Sequence, residues 1–265
     1  MKRAALLIAC VLALGVVSAQ DYYRAGVAII GDEDGSGQSY LGAAGGSSGV
    51  TILDVQRAAT SGIDTQLTAF AVPILAGDVI IVGHMQHIGN GSGEPGAPTD
   101  TGGNTYTKIG TRMVDDSNNQ GSNMYYAVVV TGGAAFRVTK TALSSVYGVV
   151  AMAVRGLSAT PYNGDWLWKQ GNSGTGPIRP GPTAVPPGQS LFVGVGSANQ
   201  VPVTDPAGWN VAGVSGLTAA MVLRLQPDAT NRYASMIVKP SAVAEDPLWT
   251  YSGGNLWAGT IASFR

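Results

Sequence analysis

Two histidines, His84 and His87, stand three residues apart at the end of an apolar run. On a strand, residues three apart point to opposite faces, which is poor geometry for sharing one metal. If the strand stops at Gly83, a loop can gather them with Glu94 or Asp100. The simpler reading is a pair of polar loop histidines. A second candidate is Asp32-Glu-Asp-Gly-Ser-Gly37. Asp32, Asp34 and Ser36 sit at alternating positions with Gly37 sixth, as at the start of an EF-hand loop. The twelfth position is Ala43, not the bidentate Glu that such a loop needs. A solvated acidic turn is preferred, and calcium is the one cofactor for which ligands can be named. Asp115-Asp116 offers a further oxygen-rich loop, of ordinary loop composition.

Trp166 and Trp168 alternate within Tyr162-Asn-Gly-Asp-Trp-Leu-Trp-Lys-Gln170. On a strand they share one face, with Leu167 on the other. Two exposed indoles beside Tyr162 and Asp165 make a glycan-binding platform, because sugar rings stack on indoles and polar tips take the hydroxyls. The competing reading packs both tryptophans in the core. Asp100 and Asp205 are read as turn formers, whose carboxylates bond backbone amides two residues on. Gly45-Gly-Ser-Ser-Gly49 has the Gly-x-Ser-x-Gly spacing but falls in a Gly/Ser-rich stretch rather than at a strand-to-helix elbow, so nothing points to an activated serine. The residues define no catalytic set, and a non-enzymatic protein is expected.

These residues must be held by something, and the first positions say where. Lys2 and Arg3 precede an apolar run from Ala4 to Val17, closed by Ser18-Ala19. That is the pattern of a signal peptide over residues 1–19, a short helix removed on export. It is too short for a spanning helix, and no later apolar run is long enough. Cys10, the sole cysteine, falls within it, so the secreted chain has no disulfide. Charged residues are 12% of the chain and the net charge is −1, which gives nucleic acid no electrostatic handle.

Beyond the signal the chain reads as all-β. Asp78–Val82, Met124–Val130, Val146–Val154, Ser190–Val195, Ala219–Leu225, Tyr233–Val238 and Trp257–Phe264 are rich in β-branched and aromatic residues and bounded by turn formers. The two parts of the chain echo each other. Ala76–Gly83 is answered by Pro187–Gly194, and Thr99–Tyr106 by Thr204–Asn210. The expected fold is a two-sheet β-sandwich of Greek-key or jelly-roll type, with about eight or more strands. It spans residues 51–265 in halves of about 51–156 and 157–265. Residues 20–50 form an arm, with an apolar strand at Tyr23–Ile30 and a Gly/Ser-rich tether.

The motifs Ala76–Val82, Thr99–Thr107, Met124–Gly133 and Trp257–Arg265 together resemble those of exported, Gly/Thr-rich β-sandwich domains in bacterial and phage surface proteins. The resemblance implies fold and surface location and carries no functional residues. The function expected is a secreted structural or adhesive protein, extracellular or at the cell surface. Tyr23, Val27, Ile29 and Ile30 can add as a strand to a neighbour's open sheet edge, giving a homo-oligomer or filament. The alternative is a carbohydrate-binding module that uses the tryptophan pair.

Overall fold

The computed structural model describes residues 49–60, 65–87, 96–110, 120–140, 146–171, 177–199, 203–209, 223–225, 232–251 and 257–265. The expected signal peptide and nearly all of the arm lie outside them. Among the described residues there is no helix and 57% lie in strands, so the fold class is all-β.

Two five-stranded antiparallel sheets dominate. The first runs in the order β1 (Thr51–Thr60), β8 (Val146–Arg155), β3 (Val79–His87), β6 (Gln120–Val128), β5 (Thr107–Ile109). The second runs β9 (Tyr162–Gly171), β15 (Trp257–Phe264), β10 (Ser190–Asn199), β13 (Arg232–Ser241), β12 (Leu223–Leu225). Short strands cover the outer faces. β2 (Thr65–Gln66), β7 (Val138–Lys140) and β4 (Thr99–Asp100) form one small sheet, while β11 (Val203–Thr204) and β14 (Thr250–Tyr251) form another.

Side chains alternate across each strand, and here both faces are buried. On β3, Val79 and Ile81 join a central cluster with Leu191, Val193 and Val195 of β10, so the two sheets pack face to face. Ile80 and Val82 point the other way, into a second cluster with Phe70, Phe136 and Val138. Phe192 and Ile261 of the second sheet likewise meet Ile178, Trp209 and Trp249. Burial on both faces explains why the long strands read as unbroken apolar runs rather than alternating ones. Each fully buried Val, Ile or Phe contributes about 1.5–3 kcal/mol.

The two sheets share one plan. Numbered within its own half, each has the order first strand, last strand, then an early strand (the third, β3, in one and the second, β10, in the other), then two outer strands. The sheets lie with their orders reversed, β1 near β12, and β6 against β15 and β10. Trp166 of β9 lies over Gly110, just past β5. An approximate two-fold axis therefore runs between β3 and β10. A Cβ on Gly83 of β3 would lie 2.9 Å from a methyl of Val195 on β10, so glycine permits the close approach there. Details repeat as well. Asp54 in β1 accepts a bond from Ala71 N at 2.6 Å, and Asp165 in β9 accepts one from Ala184 N at 3.1 Å. Both edge strands pair irregularly near these residues, at Ile52/Asp54 and opposite Ala262/Phe264.

The register of the echo differs from the ungapped one. Aligning Ala76–Gly83 directly with Pro187–Gly194 sets Ile80 against Leu191, which face opposite sides. A one-residue offset, Val79 with Leu191, restores the faces, as a strand period of two requires. The ladders agree with it. Val79 pairs Val128 and Val154, and Leu191 pairs Pro240 and Phe264.

Both ends of the folded unit meet at one turn, Gly156–Pro161. A Cβ on Gly156 would strike Gly49 O, Ser158 N donates to Arg265 O at 2.7 Å, and Arg265 N donates to Pro161 O at 2.8 Å. The opposite end carries the ends of β1 and β3 and the starts of β6 and β8.

Candidate functional site

The chemistry-bearing side chains gather inside the first half. β3 continues past Gly83, so His84 is not a loop residue as its position after a glycine suggested. It lies on the outer face, directly opposite Asn123 of β6 and Val149 of β8. His84 and Asn123 are fully buried. Lys140, the last residue of β7, is also fully buried and reaches in from the small sheet. Its Nζ donates to Gly96 O and lies 5.4 Å from the centre of the Tyr125 ring. Tyr125 is two residues from Asn123 and shares its face. Neither amide atom of Asn123 has a hydrogen-bond partner.

Burial, and then the charge of Lys140, hold the His84 imidazole well below its ordinary pKa, so it is neutral in the folded protein. Nearby, burial and the Asp100 carboxylate push the Tyr106 phenol up. Asp100 itself builds a turn. Its Oδ1 accepts bonds from Gly102 N at 2.9 Å and Asn104 N at 3.1 Å, and Gly103 takes φ +70°. Asn104 Oδ1 then accepts from Val130 N and Thr131 N. Asp100 thus serves the turn.

A neutral buried histidine ties stability to pH. Its folded pKa lies below the unfolded value of 6.5. The stability it permits is present above pH 6.5 and is lost as pH falls through the folded value. Urea denaturation at pH 7.5 and 5.5 is expected to show a loss in the native protein and a smaller one in a His84→Leu variant. Equal losses in both would remove His84 as the cause.

The second half fills the corresponding space differently. By the offset register, His84–Asn123 corresponds to the ladder pair Gly196–Ser235. The indole of Trp249 rests there, with a Cβ on Gly196 placed 2.8 Å from its ring, and Nε1 donates to Ser235 Oγ at 2.7 Å. One half therefore plugs its interior with an indole, and the other holds a lysine, an asparagine and a histidine.

The tryptophan pair sits on edge strand β9 and both rings are half-buried. Trp166 packs against the central cluster, and a Cβ on Gly110 would lie 2.7 Å from its ring. That side of the Trp166 ring is occupied by the protein itself. Trp168 is on the same side by alternation, and its Nε1 is buried. Leu167 faces the outer cluster. Tyr162 packs with Tyr126 and Phe264, at centroid distances of 5.9 and 6.2 Å. Burial, then Asp165 and Tyr126, push its phenol up to about 12. Asp165 is used by Ala184 N. Trp166 thus fills the gap between the sheets at one edge, and both rings are partly covered.

Asp32, Asp34, Ser36, Glu94, Asp115 and the strand candidates Tyr23, Val27, Ile29 and Ile30 lie outside the described residues, and so does the side chain of His87. Among the described residues no group of three metal-ligating side chains occurs.

No family model, curated protein or solved structure matches this chain.

Proposed function

We propose that the chain is a secreted, non-enzymatic structural or adhesive surface protein. In this reading each half is a β-sandwich of jelly-roll type. The first half places β1, β8, β3 and β6 in one layer and β2, β7 and β4 in the other, the alternation by which a jelly roll interleaves its strands. The export-type N-terminus supports a location outside the cell.

The observation that carries the reading is the place of Gly49, where the arm joins the strands, against Gly156 at one end of the first sheet. A unit tethered at one end and bearing strand-to-strand connections at the other is suited to standing on a surface. The arm supplies attachment. Tyr23–Ile30 adds as a strand to an open edge of a second copy. β1 and β9, each ten residues long, are the longest edge strands among the described residues. Each carries a bulge and an exposed cation, Arg57 or Lys169, which discourages indiscriminate pairing. An incoming strand must match that pattern.

Sedimentation of the secreted protein with and without residues 20–49 tests this. Larger species are expected for the longer form and monomer for the shorter. Monomer in both at high concentration rules assembly out.

A further inference from the structure

We propose that Lys140 and Asn123 form an isopeptide bond that ties β7 to β6 inside the first half. Three observations bring the groups together. Both side chains are fully buried, in a space bounded by the first five-stranded sheet and its small covering sheet. The Lys140 amine lies over the Tyr125 ring, and Tyr125 neighbours Asn123 on one face of β6. His84 stands across the ladder from Asn123, near enough to Lys140 for its charge to act on the imidazole.

The Asn123 carboxamide is the unusual member. A buried amide normally has its donors and acceptor satisfied, and this one has neither. An electrophilic carbon buried in the same layer as the Lys140 amine, which is itself shut off from water, is placed for attack rather than for packing. The second half shows that the fold itself does not require these groups, since Gly196, Ser235 and Trp249 occupy the matching place with every polar atom of the indole and its serine partner bonded.

The step balances without an external reagent. The Lys140 Nζ begins as an ammonium and gives up two protons. Its lone pair forms a bond to Asn123 Cγ, and the Cγ–Nδ2 bond breaks. Nδ2 gains both protons and leaves as ammonium. Neutral His84 can accept a proton at one ring nitrogen and return one from the other, so it is the natural carrier between Nζ and Nδ2. The product is a neutral secondary amide, which relieves the cost of holding a charge and an unpartnered amide in the interior.

Peptide mapping of the purified native protein decides the matter. The expected result is an intact mass one ammonia below that of the unlinked chain, with trypsin failing to cut after Lys140. A branched peptide should contain both Asn123 and Lys140. Full mass with linear peptides for both residues overturns the proposal. So does an ammonia loss that maps to one linear peptide, which is a succinimide. In a His84→Ala variant the linked fraction is expected to fall well below that of the native protein, with Lys140→Arg as the unlinked standard. Linking at the native rate in the His84→Ala variant removes histidine from the mechanism. The result stands apart from the surface role proposed above, which does not depend on it.

Discussion

Replacing Trp249 with alanine is expected to cost about 3–5 kcal/mol of folding stability. The indole is fully buried in the outer cluster of the second half. Two glycines of β10 make its bed, for a Cβ on Gly194 or Gly196 would lie 3.0 or 2.8 Å from the ring. Alanine leaves that bed open and strands Ser235 Oγ, which now accepts from Nε1 at 2.7 Å. Urea denaturation gives the number directly from the shift in midpoint at constant slope. A loss below about 1 kcal/mol would mean that the ring is not the plug of this layer. Gly196→Ala should also destabilise, by overpacking, at about 1–3 kcal/mol.

The second large effect is expected at Asp78, where substitution by alanine should cost about 3 kcal/mol. The carboxylate is buried and accepts from Arg155 Nε at 2.7 Å and Nη2 at 2.8 Å. It also accepts from Leu75 N at 2.8 Å, across the turn at Gly77 with φ +91°. Asp78 thus fixes both the entry to β3 and the exit of β8. Arg155 is 44% exposed, so water can recover its charge once the acid is gone. That keeps the cost below the limit for a fully buried pair. Thermal and urea unfolding of the Asp78→Ala protein measure it, and an unchanged midpoint would deny the carboxylate this role.

Much of the fold is legible in the residues, and the failures have physical causes. β3, β6, β8, β10, β13 and β15 announce themselves because both of their faces are buried and their runs are apolar. β1 does not. Its bulge at Ile52/Asp54 breaks the period, and Asp54, Gln56 and Arg57 dilute its apolar content. The two- and three-residue strands carry no pattern of their own, since tertiary pairing alone makes them strands. The echo between the halves is visible at its turns, yet its register is one residue off, because a strand period cannot be read where neither face is polar.

The candidate cluster was less legible. His84 reads as a loop residue after Gly83, although that glycine is there to admit Val195 from the facing sheet. Lys140 gives almost no signal. A lone lysine is ordinarily solvent-exposed, and only the alternation of Val138 and Lys140 around Thr139 hints that it points inward. The shared face of Trp166 and Trp168 follows from spacing. Their burial does not, because it depends on Gly110, far away in sequence and brought close only by the packing of the two sheets.

The position of β15 carries a consequence for how the chain acquires its structure. It is the last strand, yet it lies between β9 and β10, and β8 lies likewise between β1 and β3. Neither large sheet can close until the final strand of its half is present. Thr51 must find Arg155, and Tyr162 must find Phe264, about a hundred residues away in each case. Pairing at such separation is slow, because loop closure is lost before any contact is gained. In a chain growing from its N-terminus, the first large sheet therefore waits for β8 and the second for β15. Removing even the last eight residues should leave the second half without its interior strand.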